Sequence, residues 1–152
     1  MEQRADWLIT MRRYLVAVTI GNLLWEICQL PLYTLWTSGS PRQIAFAVIH
    51  CTAGDVIIAT VALMLALILF ATPEWPATHM APVMTAAVVT GAAYTIYSEY
   101  ANTALRPSWA YSGLMPTLPW IGTGLSPLAQ WLVVPIMALW WSSRGALRQN
   151  RP

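Results

Sequence analysis

Long apolar runs alternate along the chain with short breaks rich in proline, glycine and small polar residues. The runs cover about 14–36, 44–70, 82–100 and 125–141, each near the ~20 residues whose 1.5 Å rise carries a helix across a hydrocarbon core about 30 Å thick. The breaks Thr37-Ser38-Gly39-Ser40-Pro41 and Thr72-Pro73-Glu74-Trp75-Pro76 combine turn formers with helix breakers, which predicts tight helical hairpins. The segment 103–124 reads differently: too apolar and aromatic for a free loop, too rich in proline and glycine for a further helix. Non-helical backbone at a membrane surface must be covered by protein or line a wet cavity. The pattern therefore predicts an all-α, integral membrane four-helix bundle, one domain over 1–152, with a structured and partly re-entrant outer loop between helices three and four.

Composition narrows the class. A hydrophobic content of 57% with 9% charged residues and a mean hydropathy of +0.53 leaves too little polar surface for a water-soluble domain of 152 residues. The first run is too long for the apolar core of a secretory signal, carries Glu26 near its centre and lacks a small-residue cleavage site, so it is read as a retained span. The basic residues are all arginines. Arg4, Arg12, Arg13, Arg144, Arg148 and Arg151 lie on the tails, whereas only Arg42 and Arg106 fall in the first and third connections, which predicts cytoplasmic termini, an outer cap and a bacterial inner (cytoplasmic) membrane. No basic cluster forms a face for nucleic acid. Trp7, Trp36, Trp75, Trp140 and Trp141 sit near span ends, where amphipathic rings prefer the interface. Cys28 and Cys51 read as small buried hydrophobes, a disulfide or shared metal being the alternative that their similar depth allows.

The chemistry concentrates in carboxylates placed where they are costly. Glu26, Asp55 and Glu99 lie within spans, and one such group at a span centre costs about 2.5–3.5 kcal/mol even on insertion scales. Helical spacing puts Asn22, Glu26, Gln29 and Tyr33 on one stripe of span one, and Thr95, Ser98, Glu99 and Asn102 on one of span three. On span two Cys51 and Asp55 share a face, with His50 beside them and Gly54 read as permitting close helix approach. Counted from the outer ends, Glu26 lies about 15 Å down, Asp55 about 16 Å and His50 about 9 Å, with Glu99 near the boundary. Gln130 can face the same space from span four, and Pro31 and Pro135 can kink spans one and four and free carbonyls there. Small residues at Ala86, Ala87, Gly91, Ala92 and Ala93 predict close helix contact along span three. Arg106 is a candidate to neutralise Glu99.

Three function classes fit this constellation. In the first, Glu26 and Asp55 are the acid/base pair of an enzyme with His50 as relay, acting on a membrane lipid or apolar, isoprenoid-like molecule by isomerisation, cyclisation or hydration. Asn22, Gln29, Tyr94, Ser98, Glu99, Asn102, Trp109, Tyr111 and Gln130 are then the substrate-binding residues, with aromatic faces available to a developing cation. No cofactor is expected. A metal ion at His50, Asp55 and Glu99 stays open, although no H-x-x-x-H or C-x-x-C spacing supports one. The second class is a proton or metal-ion transporter or channel subunit. The third is an accessory subunit, as a homo-oligomer or within a larger membrane complex. The alternative to all three is structural: the acids pair with one another, with Arg or with His to hold the bundle together. There is no G-x-S-x-G motif for acyl transfer.

Overall fold

A computed structural model describes residues 2–106 and 108–149, with side chains placed for 7–106 and 108–144; Pro107 and Arg151, and the side chains of Arg4 and Arg148, lie outside this description. Five helices run in the order α1 (Glu2–Gln29), α2 (Leu35–Ser38), α3 (Pro41–Phe70), α4 (Met80–Tyr100) and α5 (Leu125–Gln149). Four of them, over 7–32, 41–70, 80–105 and 125–144, are long and apolar enough to cross a membrane. The chain is a multi-pass membrane protein with an all-α four-helix bundle. Among the described residues the β-structure is limited to two isolated bridges.

The helix ends follow local chemistry. Ser40 caps α3 reciprocally with Gln43, each side chain bonding the other's backbone N–H, and Pro41 occupies the first helical turn, where its missing N–H costs nothing. The first span departs from the sequence reading: α1 begins at Glu2 and ends at Gln29, not near Trp36. Pro31 does not kink it but winds it into a 3₁₀ turn over Leu30–Leu32, after which Tyr33 is extended. At the far end of α4 the ladder widens into a π turn over Ala101–Leu105. Pro135 lies inside α5, which continues past Trp141 to Gln149; proline there leaves the Trp131 carbonyl without its helical donor.

The bundle has two halves of opposite character. Nearer the termini, Tyr14 and Val18 of α1, Leu63 and Ala66 of α3, Val83 and Ala87 of α4 and Leu139 of α5 form an apolar core, each at most 2% exposed. The Tyr14 hydroxyl donates to the Ala59 carbonyl at 3.4 Å, tying α1 to α3 inside that core. Toward the other end buried polar residues replace it. Gly91 marks the transition, since a Cβ there would lie 2.1 Å from Cε3 of the Trp131 ring, so α4 and α5 meet at a distance only glycine permits.

Several placements correct the sequence reading. Ala93 is exposed, so the small-residue face of α4 runs through Ala87 and Gly91 instead. Gly54 has nothing within 4 Å of its Cβ position and serves no close helix contact. Trp75 is not an interfacial ring: it is 3% exposed and packs into the core. Cys28 and Cys51 are free thiols, and Cys28 is exposed on the outside of the bundle rather than buried.

Candidate functional site

Gln130 is the centre of the polar half. Its Nε2 lies 2.8 Å from Asp55 Oδ2, 3.1 Å from Asn22 Oδ1 and 3.4 Å from Glu26 Oε1, so one amide on α5 faces α1 and α3 together. The amide has two N–H groups for three acceptors. Glu26 Oε1, the farthest, is served at 2.7 Å by Gln29 Nε2 one turn along α1. Gln29 Oε1 in turn accepts from the Ser126 hydroxyl at 2.9 Å, and Ser126 Oγ accepts from the Trp25 indole at 3.2 Å. Asn22, Glu26 and Gln29 of the expected stripe are each held by α5, whereas Tyr33, its fourth member, lies beyond the end of α1 in extended backbone bridged to Tyr111. The sequence reading missed Ser126, whose signal was its position four residues before Gln130, on the same helical face.

Glu26 and Asp55 converge on the Gln130 amide, 3.4 Å and 2.8 Å from its Nε2. Two carboxyls drawn to one neutral amide in a buried site repel one another when both are charged, so the pair is a place for one proton between two acids. Gln29, Gln130 and Asn22 supply neutral amides around it, which orient the pair without adding charge.

Glu99 belongs to a second cluster. It accepts a hydrogen bond from the Tyr111 hydroxyl, and that same hydroxyl accepts from the Gly124 N–H at 3.0 Å. The proposed partner Arg106 is exposed and the position is filled by Tyr111 instead. The buried indole N–H of Trp109 lies beside the Glu99 carboxylate yet completes no hydrogen bond. Burial, with Glu99 beside it, pushes the Tyr111 phenol well above its ordinary value, so this donor keeps its proton at every physiological pH.

The segment 108–124 is a cap folded onto the end of α1. Thr34 N donates to the Ala110 carbonyl at 3.0 Å and Ser112 N to the Leu32 carbonyl at 2.9 Å, around a bridge between Tyr33 and Tyr111 whose rings lie 5.6 Å apart. The Ser112 hydroxyl takes the Pro31 carbonyl at 3.0 Å. The carbonyls that the helix end leaves without helical donors are therefore satisfied by the cap. Replacing Tyr111 with Phe keeps the ring contact and removes two hydrogen bonds, leaving Glu99 and the Gly124 N–H without partners. Because an unsatisfied buried group costs about 1–3 kcal/mol, Tyr111→Phe is expected to lower the unfolding midpoint by several degrees and speed proteolysis within 108–124. An unchanged midpoint with equal protection of the cap would show that the latch carries no stability.

Under the cap lies a cavity of about 300 Å³, lined by all four long helices and mostly apolar. Glu26, Asp55 and Gln130 line it from the bundle axis, with Glu99, Ser98, Asn102 and Trp109 nearer the cap. Asn102 is turned back on its own helix, its amide bonding the Ser98 carbonyl at 2.8 Å. Tyr94 lines the cavity from an exposed position on α4, tilted against Tyr97. His50 is at the rim: exposed, stacked on Phe46 at 5.5 Å, and outside the hydrogen-bonded network of the carboxyls. Asn22 and Tyr111 act on the site from behind its lining. His50, Asp55 and Glu99 do not gather as a ligand set; among the described residues no three His, Cys, Asp or Glu side chains are placed to hold a metal ion.

No family model matches the chain, and no curated protein or solved structure is significantly similar to it. Its function has to be read from the cavity.

Proposed function

We propose that the chain is a membrane-embedded acid/base enzyme acting on a lipid or isoprenoid-like apolar substrate. The observation that carries this reading is the carboxyl pair Glu26–Asp55, converging on the one Gln130 amide on the wall of a mainly apolar cavity large enough for a small ligand. Such a pair supplies an acid and a base at once. In a double-bond shift, one carboxyl adds its proton to an alkene carbon while the other carboxylate removes a proton from the allylic position. One C–H bond forms as another breaks, and transfer across the Glu26–Asp55 contact restores the starting state. Cyclisation and hydration use the same two groups. His50, from its place at the rim, is a relay to bulk rather than a member of the pair.

Conduction is the weaker reading, because the core of Tyr14, Val18, Leu63 and Leu139 closes the bundle below the carboxyls with apolar side chains. The proposal includes cytoplasmic termini in a bacterial inner membrane. Its support is the arginine bias together with Arg13 over the Trp141 ring at 5.4 Å and Arg144 over the Trp140 ring at 3.5 Å, both at the end where α1 begins and α5 finishes. The test compares lipid extracts of cells expressing the wild type and Asp55→Asn. An isomeric species, or one heavier by a water, is expected with the wild type alone. Identical extracts, together with a stoichiometric protein partner in gentle detergent, would reassign the chain to the subunit class.

A further inference from the structure

On the side of the cavity lined by α3 and α4, the wall is open at Gly54. Below this point the two helices close on each other through Ala59, Leu63 and Ala66 against Val83 and Ala87, but nearer the cap a Cβ at Gly54 would meet nothing within 4 Å. His50 on α3 and Tyr94 on α4 flank the gap, both exposed on the outer surface of the bundle and both lining the cavity. In a multi-pass protein that surface faces hydrocarbon, so the gap is a side door from the bilayer.

The lining also states what can use that door. Three carboxyls and, at the rim, the His50 imidazole reach the cavity, and among the described residues no arginine does. A phosphate or carboxylate head would meet three acids with only the rim imidazole of His50 to offset them, and burying a charge so poorly paired is costly. A head group that only donates would leave the Trp109 indole N–H as it stands, buried and without a partner. An alcohol both donates to a carboxyl oxygen and accepts from that N–H. We infer that the cavity binds an uncharged, hydroxyl-bearing apolar molecule that enters sideways between α3 and α4, its hydroxyl held between Trp109 and the carboxyls. The inference rests on the cavity and not on its catalysis: binding without turnover would leave it standing while removing the enzymatic reading.

Three probes with one hydrocarbon chain and different heads test it: farnesol, farnesylamine and farnesyl phosphate, each titrated against the intact protein in neutral phosphatidylcholine nanodiscs and read by native mass spectrometry. The expected result is saturable retention of one farnesol and no retention of the phosphate. Gly54→Leu puts a side chain into open space, so it folds, and it is expected to weaken farnesol retention about tenfold or more by closing the door. Trp109→Phe keeps the ring and drops the N–H, with an expected loss of about fivefold. Retention of the phosphate as strong as that of the alcohol, retention of the amine alone, or farnesol retention unmoved in a folded Gly54→Leu protein would each overturn the inference.

Discussion

Gln130→Leu is expected to be the most destabilising single substitution in the polar half, at about 3–5 kcal/mol. The side chain is 3% exposed, and leucine is apolar and of comparable size, so the larger part of the loss is polar. What remains is Asp55 without its 2.8 Å donor, Asn22 Oδ1 without its 3.1 Å donor, and Glu26 held by Gln29 alone. Removing one partner of a buried polar or ionic cluster is costly because the others stay behind, whereas removing several together is often close to neutral. Gln130→Leu combined with Asp55→Leu is therefore expected to recover much of the stability that Gln130→Leu alone loses. Thermal unfolding of the two single variants and the double variant in one detergent closes the cycle. Simple additivity of the two losses would show that Gln130 does not act through Asp55.

Asp55→Asn is expected to leave a folded protein that has lost turnover by about 10²–10⁴-fold, the range that a positioned acid or base contributes. Asparagine is close in shape to aspartate, and the amide can still meet Glu26 and Gln130, so the bundle keeps its contacts. It can no longer exchange a proton with Glu26. The same loss is expected from Glu26→Gln, and the double variant is expected to be little worse than either, since the two acids work as a unit. Multiplying losses in the double variant would mean that the carboxyls serve separate steps. Unfolding midpoints at or above that of the wild type in both single variants separate chemistry from structure; a collapse of folding in both would make the pair a bundle fastener.

The bundle was readable because apolar run length and punctuation decide it. Helices α3, α4 and α5 fall within a few residues of the expected runs at most ends, although Ser40 and Pro41, read as part of a break, cap and open α3 instead. Helix α1 was misjudged at its cap end because Leu30 to Trp36 is as apolar as a span. Only the pairing of Leu32 and Thr34 with the cap shows why a helix is not needed to satisfy that backbone. The convergence of Asn22, Glu26, Gln29, Asp55 and Gln130 followed from helical periodicity and depth. Their hub did not, since nothing in the periodicity ranks Gln130 above Asn22. Glu99 was paired with Arg106 through proximity along the chain, while its donor Tyr111 arrives through a fold of the cap that has no periodic signal. His50 is the neighbour of Cys51 in sequence, but a helix turns adjacent residues about 100° apart, which places it on the rim and not among the acids.

The cap is bonded to Pro31, Leu32 and Thr34 at the end of α1, to Glu99 on α4 through Tyr111, and to the start of α5 through the Leu125 N–H and the Pro116 carbonyl. Three walls of the cavity are thus pinned to one crossbar, and among the described hydrogen bonds none pins α3 to it. A guest that needs more than the resting 300 Å³ has one direction in which to make room. The capward end of α3 is therefore the wall expected to yield: spin labels across α3 and α4 near the cap should spread when the guest enters, while labels across α1 and α4 keep their separation.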